Sequence, residues 1–172
     1  MGNENDVVVV LPNKDFRDQE YAETTRLLHE YSIGYKVVAI MPGECFGVGG
    51  TEVATDIEVD EIDPNSFAGV IFIGGPGVES SLRDEKLMNL AKAFNSAGKI
   101  VAGICWAVSI LANAGVLNGK KVTAWSGCQS DLEKGGALYT GEPITVHQNI
   151  ITANGPDSAD AFGEKIAQTI AG

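Results

Sequence analysis

Histidines, paired cysteines and cations are scarce in this chain, and each scarcity excludes a class of function. The sequence has only two histidines, His29 and His147, and neither lies next to a candidate nucleophile, so it predicts no Cys–His dyad. The three cysteines form neither a C-x-x-C pair nor a zinc-binding spacing. The sequence contains no P-loop and no G-x-G-x-x-G motif, so nothing in it indicates nucleotide binding.

The charge balance and the hydropathy set further limits. The 23 acidic and 12 basic residues give a net charge of −11, which disfavours nucleic acid and anionic membranes as partners. No apolar run approaches the roughly 20 residues of a membrane helix, and the polar, acidic residues 1–6 are unlike a secretory signal. We therefore expect a cytoplasmic protein with one domain over residues 1–172.

Short apolar runs alternate with helical patterns along the chain. Strands are predicted at 6–11, 35–41, 67–73, 99–104, 121–125, 137–139, 144–146 and 149–152. Helices are predicted at 17–31, 82–97, 105–115, 130–134 and 157–171, the last with Asp157 or Ser158 as its cap. Residues 43–62 predict a small β-hairpin excursion. The alternation predicts an α/β fold with one doubly wound, mostly parallel sheet and helices on both faces, in a flavodoxin-like arrangement.

One strand-to-helix junction carries the strongest functional signal. Residues 99–112 predict a buried strand that continues directly into a helix, with Cys105 at the corner and Gly103 two residues before it. Such a corner holds a nucleophile in a strained, exposed position. The free N–H groups and the dipole of the new helix favour the thiolate. We therefore predict a reactive Cys105, with a buried structural cysteine as the alternative.

Two other stretches offer the groups that such a thiol needs. The N–H of Trp106 follows the nucleophile and is placed to stabilise an oxyanion. Gly75 follows the preceding strand and can supply a second N–H, although residues 74–77 fit a plain turn equally well. A protonated Glu20 can donate a hydrogen bond to the thiolate, and a charged Glu20 can take a proton from a substrate. The alternative for Glu20 is an acid that only complements a helix N-terminus.

The remaining cysteines and histidines give weaker signals. Cys128 is expected to follow a strand beside the elbow strand, as a resolving thiol or, more simply, as a loop cysteine. Cys45 is expected to be structural. Surface or capping roles are favoured for His29 and His147.

Taken together, these segments resemble the ThiJ/PfpI superfamily, the cysteine-elbow proteins related to class I glutamine amidotransferases. The resemblance extends over nearly the whole chain and rests on residues 16–20, 67–75, 99–105, 114–123 and 146–152. It implies that Cys105 is the nucleophile, that Glu20 is the carboxyl hydrogen-bonded to it, and that Gly75 and Trp106 are oxyanion donors. It further implies that Glu79 reaches a neighbouring subunit's site, in a homodimer or a larger homo-oligomer.

Trp106 distinguishes this chain from the PfpI-type peptidases, which have histidine directly after the cysteine. Because an indole cannot act as a base, a cysteine peptidase or amidase is disfavoured. The leading hypothesis resembles the glyoxalase III and deglycase members: Cys105 attacks a small reactive carbonyl compound, Glu20 shuttles the proton, and no cofactor or metal is needed. The alternative is a redox-sensing or chaperone-like stress protein without catalysis, in which Cys105 oxidises reversibly.

Overall fold

The computed structural model describes residues 3–172; residues 1 and 2, part of the polar start and of the predicted domain, lie outside the described residues. The strands are β1 (Val7–Val10), β2 (Lys14–Phe16), β3 (Tyr35–Val38), β4 (Glu44–Gly47), β5 (Glu52–Ala54), β6 (Gly69–Phe72), β7 (Ile100–Ile104), β8 (Lys121–Val122), β9 (Leu138–Tyr139), β10 (Ile144–His147) and β11 (Ile150–Ala153). The helices are α1 (Asp18–Glu30), α2 (Glu85–Ser96), α3 (Val108–Asn113), α4 (Gln129–Lys134) and α5 (Ala159–Ala171).

The centre of the molecule is a six-stranded sheet in the order β10-β11-β7-β6-β1-β3. Every neighbouring pair is parallel except β10 and β11, which are antiparallel. Helices α1 and α5 cover one face, and α2, α3 and α4 cover the other. Because both faces are covered, β1 is a run of four buried valines. The predicted doubly wound, mostly parallel fold is confirmed.

The predicted hairpin excursion is β4 paired with β5, and it forms a separate three-stranded sheet with β2. It is shorter than expected, since residues 56–58 are not in a strand and Val59–Glu61 is a 3-10 turn. The Asp18 carboxylate accepts hydrogen bonds from the N–H groups of Gly49 (2.6 Å) and Thr51 (3.0 Å). These bonds attach the hairpin to the first turn of α1.

The strand predicted at 121–125 is wrong in length and in pairing. Strand β8 has two residues and pairs with β9, whereas the neighbours of β7 are β6 and β11. The chain leaves β8 because the Thr123 N–H donates to the Thr152 hydroxyl (2.9 Å) and the Trp125 N–H to the Cys105 carbonyl (3.4 Å). These contacts turn residues 123–125 toward the elbow.

Three helices begin two or three residues later than predicted, and one of them is α3, which begins at Val108 and not at Cys105. Helix α2 begins at Glu85 because the Asp84 carboxylate accepts a hydrogen bond from the Leu87 N–H (3.0 Å). Helix α5 begins at Ala159, and Ser158 occupies its N-cap position, but its hydroxyl donates to the Asn154 side chain (2.7 Å) instead of capping. Within residues 3–172, no helix combines the length and the apolar character that crossing a bilayer demands.

Candidate active site

Cys105 lies at a strained corner at the carboxyl end of β7. Its φ is +60°, in the left-handed region that residues with a Cβ seldom adopt. Residues Cys105–Ala107 form a 3-10 turn, and α3 follows at Val108. The predicted exposure is wrong: only 9% of Cys105 is exposed, because the elbow lies at the base of a pocket. The backbone strain itself is as predicted.

The carboxyl of Glu20 lies beside this thiol and is fully buried. The Gly74 N–H donates a hydrogen bond to Glu20 Oε1 (2.9 Å), whereas Glu20 Oε2 has no hydrogen-bond partner in the described part of the chain. A Cβ on Gly74 would lie 2.7 Å from Glu20 Oε1 and 2.9 Å from the Cys105 Cβ. Gly74 therefore lets the carboxyl and the cysteine side chain approach each other, and Oε2 is free to accept a proton.

Burial controls the protonation of both groups. It raises the pKa of Glu20 to about 7, against the lowering effects of the Gly74 N–H, the Cys105 side chain and the Arg17 charge. Burial, and then the negative charge of Glu20, raise the pKa of Cys105 to about 12, with a smaller opposing effect from the Trp106 N–H. The thiolate expected from the helix end is therefore not favoured, because desolvation outweighs the backbone donor. Near neutrality the thiol therefore keeps its proton while the Glu20 carboxyl titrates, and the two groups form a coupled pair.

A pocket of about 310 Å³ opens above Cys105. Its lining residues come from five separate stretches of the chain: Arg17, Gly75, Pro76, Cys105, Trp106, Trp125, Asn154 and Pro156. The rings of Trp106 and Trp125 meet at 58° with their centroids 5.3 Å apart. Trp106 is thus a wall of the pocket and leaves it open. The volume lies at the small end of the roughly 300–1,000 Å³ of ligand sites.

The predicted oxyanion donors border the same pocket as the thiol. Gly75 has a φ of +122°, and a Cβ there would collide with the backbone of residues 15–17, so glycine is required. The Gly75 N–H has no hydrogen-bond acceptor among residues 3–172. The Trp106 N–H is directed at the Cys105 sulfur. Their role in holding an oxyanion stays a prediction.

The other predicted residues lie outside this pocket. Glu79 is exposed and borders a separate cavity of about 600 Å³, and its contact with a neighbouring subunit stays a prediction. His29 is exposed on α1, and Nδ1 of His147 accepts a hydrogen bond from the Lys121 N–H (3.0 Å). The pocket above Cys105 therefore has no histidine in its wall.

Cys128 supports the elbow from inside the protein. Its thiol is fully buried and donates weak hydrogen bonds to the carbonyls of Cys105 (3.6 Å) and Trp106 (3.8 Å). Cys128 therefore contacts the elbow directly and is more than a loop cysteine. The strand before it, β8, does not pair with the elbow strand β7 as predicted. Cys45, in strand β4 of the hairpin, is fully buried, in agreement with a structural role. No three or more His, Cys, Asp or Glu side chains are grouped to hold a metal in residues 3–172.

Five pocket residues were not predicted as site residues from the sequence: Arg17, Pro76, Trp125, Asn154 and Pro156. Asn154 follows β11, a neighbour of β7, so the rule that ligands bind at the carboxyl ends of parallel strands gives a signal for it. Trp125 gives none, because its position depends on the departure of the chain from β8.

The fold and the site define a class: α/β proteins with a cysteine elbow at the carboxyl edge of a parallel sheet. The model of the DJ-1/PfpI family matches residues 6–169, and the chain belongs to that family. The crystal structure of a ThiJ/PfpI domain protein from Brachyspira murdochii superposes with a TM-score of 0.95 at 33% identity, covering 98% of each chain. The predicted ThiJ/PfpI resemblance is confirmed.

Two curated relatives have names that indicate an activity. Putative cysteine protease YraA of Bacillus subtilis is 30% identical and covers 92% of this chain and 94% of its own. Deglycase PH1704 of Pyrococcus horikoshii is 29% identical and covers 87% of this chain and 90% of its own.

Proposed function

We propose that this protein is a cysteine-dependent enzyme that acts on small reactive carbonyl compounds, as a glyoxalase III or deglycase would. One observation carries the proposal: a fully buried carboxyl, Glu20, lies against the Cys105 thiol with Oε2 unpartnered in the described structure and a pKa of about 7. A group that titrates near neutrality is suited to accept and return a proton. The name of the relative Deglycase PH1704 supports the same class.

The first chemical step joins the thiol to the carbonyl carbon. As Cys105 Sγ attacks, the thiol proton passes to the Glu20 carboxylate, so no free thiolate needs to accumulate despite the raised pKa of the thiol. The carbonyl π electrons move to oxygen, which the N–H groups of Gly75 and Trp106 stabilise. Glu20 then returns the proton to that oxygen, and the product is a hemithioacetal.

A 2-oxoaldehyde such as methylglyoxal allows a complete turnover. A proton leaves the hemithioacetal carbon and one is added at the neighbouring carbon, which converts the adduct into a thioester of lactate. Water then cleaves the thioester and regenerates the Cys105 thiol. The balance is one methylglyoxal and one water for one lactate, without any external oxidant or cofactor.

The test measures methylglyoxal consumption and lactate formation by the purified protein. We expect Cys105→Ser to abolish turnover and Glu20→Gln to reduce it by about 100-fold, the lower end of what general acid–base catalysis contributes. Glu23→Gln is the matched control, since Glu23 lies on the same helix but pairs with Arg26 at the surface. Lactate formation that persists in Cys105→Ser would contradict the proposal.

Two observations weigh against the other hypotheses. A redox sensor requires a thiolate-rich cysteine, whereas burial raises the pKa of Cys105. A PfpI-type peptidase has a histidine directly after the nucleophile, whereas the pocket above Cys105 is lined by no histidine. Absence of turnover in a folded protein that forms a sulfinate at Cys105 under mild peroxide would favour the redox hypothesis.

A further inference from the structure

We propose that Arg17 is a specificity-determining residue that selects carbonyl substrates carrying a carboxylate within a few bonds of the reacting carbon. The inference rests on the proposed function for the reaction. It adds that the substrate is negatively charged. Arg17 lines the pocket above Cys105, together with Gly75 and the two tryptophans. It is thus the cation that faces a ligand bound to the thiol.

The backbone of Arg17 is held on both sides. Its N–H donates a hydrogen bond to the Gly74 carbonyl (2.9 Å), and its carbonyl accepts one from the Tyr21 N–H (3.2 Å). The residue is the N-cap of α1, with a φ of −80°. The base of the side chain is therefore placed by the same turn that orients Glu20.

The guanidinium of Arg17 has no partner of its own. Within residues 3–172 it forms neither a salt bridge nor a hydrogen bond, and its Nε is buried without an acceptor. By contrast, Arg26 on the next turns of α1 pairs with Glu23 (2.8 Å) and Glu30 (2.6 Å). Acidic partners are thus abundant in this chain, yet the arginine in the pocket lacks one. The terminal N–H groups of this guanidinium are therefore free to bind an anion in the pocket.

Glu20 does not serve as this missing partner. It interacts with Arg17 only through charge, and its Oε1 accepts from the Gly74 N–H. The planar guanidinium presents five donors, which match a carboxylate in a bidentate arrangement. The pocket is small and has aromatic walls, so the carboxylate must lie within a few bonds of the carbonyl. The substrate class is a short oxoaldehyde that carries a carboxylate.

A pair of alkylating agents tests this charge preference without assuming an enzymatic activity. Iodoacetate and iodoacetamide have nearly the same shape and differ in charge. Each forms an Sγ–C bond at Cys105 while iodide leaves and the thiol proton is lost to solvent. The rates are measured by mass spectrometry of the peptide that contains Cys105, and the ratio of iodoacetate to iodoacetamide rates is the readout.

We expect Arg17→Gln to lower this ratio by about tenfold, the effect of losing one charge-assisted contact. Iodoacetamide corrects for any change that Arg17→Gln causes in Cys105 reactivity through Glu20. Arg26→Gln, which removes a surface arginine from the same helix, must leave the ratio unchanged. Arg17→Lys keeps the charge without the planar fork, so most of the ratio must remain, and this variant also serves if Arg17→Gln does not fold.

An unchanged ratio in folded Arg17→Gln would overturn the inference, as would an equal decrease in Arg26→Gln. If Arg17→Gln does not fold, a ratio in Arg17→Lys reduced to that of the free reagents with a small thiol would overturn it. A tenfold lower ratio in Arg17→Gln, combined with no Cys105-dependent turnover of methylglyoxal or of a carboxylate-bearing oxoaldehyde, would support the anion site and reject the proposed reaction. Cys105-dependent turnover with an unchanged ratio would support the proposed reaction and reject the anion site.

Discussion

The backbone N–H of Gly74 donates a 2.9 Å hydrogen bond to the carboxyl of Glu20, and this carboxyl is fully buried. The bond orients the carboxyl and leaves the second oxygen without a hydrogen-bond partner in the described part of the chain. One donor does not replace the water that burial removes, so the pKa of Glu20 rises to about 7. The carboxyl therefore changes its protonation state in the range where the protein would work.

The raised pKa of Glu20 predicts a loss of stability with rising pH. Its pKa goes from 4.5 in the unfolded chain to about 7 in the folded one, so the folded state binds more protons between these values. The contribution is fully present below pH 4.5 and is lost as the pH rises through about 7. The loss amounts to about 3 kcal/mol from this group.

Glu20→Gln provides the comparison, because glutamine can accept the Gly74 N–H bond but does not titrate. Urea unfolding at pH 5 and pH 8 gives the free energy of unfolding of both proteins. We expect the variant to become more stable relative to the wild type by about 3 kcal/mol between the two conditions. An equal difference at both pH values would mean that the buried carboxyl keeps its ordinary pKa.

The left-handed backbone of Cys105 predicts an unusual response to glycine. Its φ of +60° strains any residue with a Cβ by about 1–3 kcal/mol. Glycine relieves this strain, although it gives the unfolded chain more freedom. We compare the free energies of unfolding of Cys105→Ala and Cys105→Gly. We expect the glycine variant to be less stable than the alanine variant by about 1–2 kcal/mol less than it would be at a residue of ordinary φ.

Cys128 provides that reference, since it is also buried and has a φ of −85°. Chemical unfolding of the four alanine and glycine variants measures both differences. Equal differences at the two positions would show that the elbow stores no backbone strain.

The sheet could be predicted from the sequence because its strands are apolar runs separated by helices. Such runs are typical of a parallel sheet covered on both faces, as the four buried valines of β1 illustrate. The region after β8 could not be predicted in the same way. There, Thr123 and Trp125 bond to Thr152 and Cys105, and contacts between residues so distant in sequence leave no local pattern.

The backbone corner of the site could be predicted, because it depends on the end of one strand. The burial of the site could not be predicted. The corner at Cys105 follows from a strand that continues into a helix, and its backbone conformation is confirmed. The depth of the pocket comes from Trp106, Trp125 and Pro156, which different loops bring together. The expected low thiol pKa was therefore wrong, since desolvation is a property of the assembled pocket.

Gly74 predicts a strong effect of a single methyl group. A Cβ there would lie 2.7 Å from Glu20 Oε1 and 2.8 Å from the Ile104 carbonyl oxygen, closer than the packing allows. We expect Gly74→Ala to destabilise the fold by about 2–3 kcal/mol and to remove activity, because the carboxyl must move away from the thiol.

The matched control for Gly74→Ala is Gly155→Ala, also at a strand-end turn near the pocket. Gly155 has an extended φ of 166°, and a Cβ there meets nothing within 4 Å. Thermal or urea unfolding must show little change in this variant. Equal stability of the two alanine variants would argue against the tight contact at Gly74.

Trp125 predicts how the pocket limits the size of its substrates. Its ring packs against Trp106 at 5.3 Å and walls the pocket, yet 43% of the residue is exposed. Its removal should therefore widen the pocket without unfolding the protein. In Trp125→Ala we expect kcat/KM for phenylglyoxal to rise roughly tenfold relative to kcat/KM for methylglyoxal, since relief of a steric clash discriminates on that scale.

The control is Leu138→Ala, which changes another exposed apolar residue outside the pocket. This variant must leave the ratio of the two kcat/KM values unchanged. An equal change for both substrates in Trp125→Ala would mean that the indole shields the thiol from water and does not select by size.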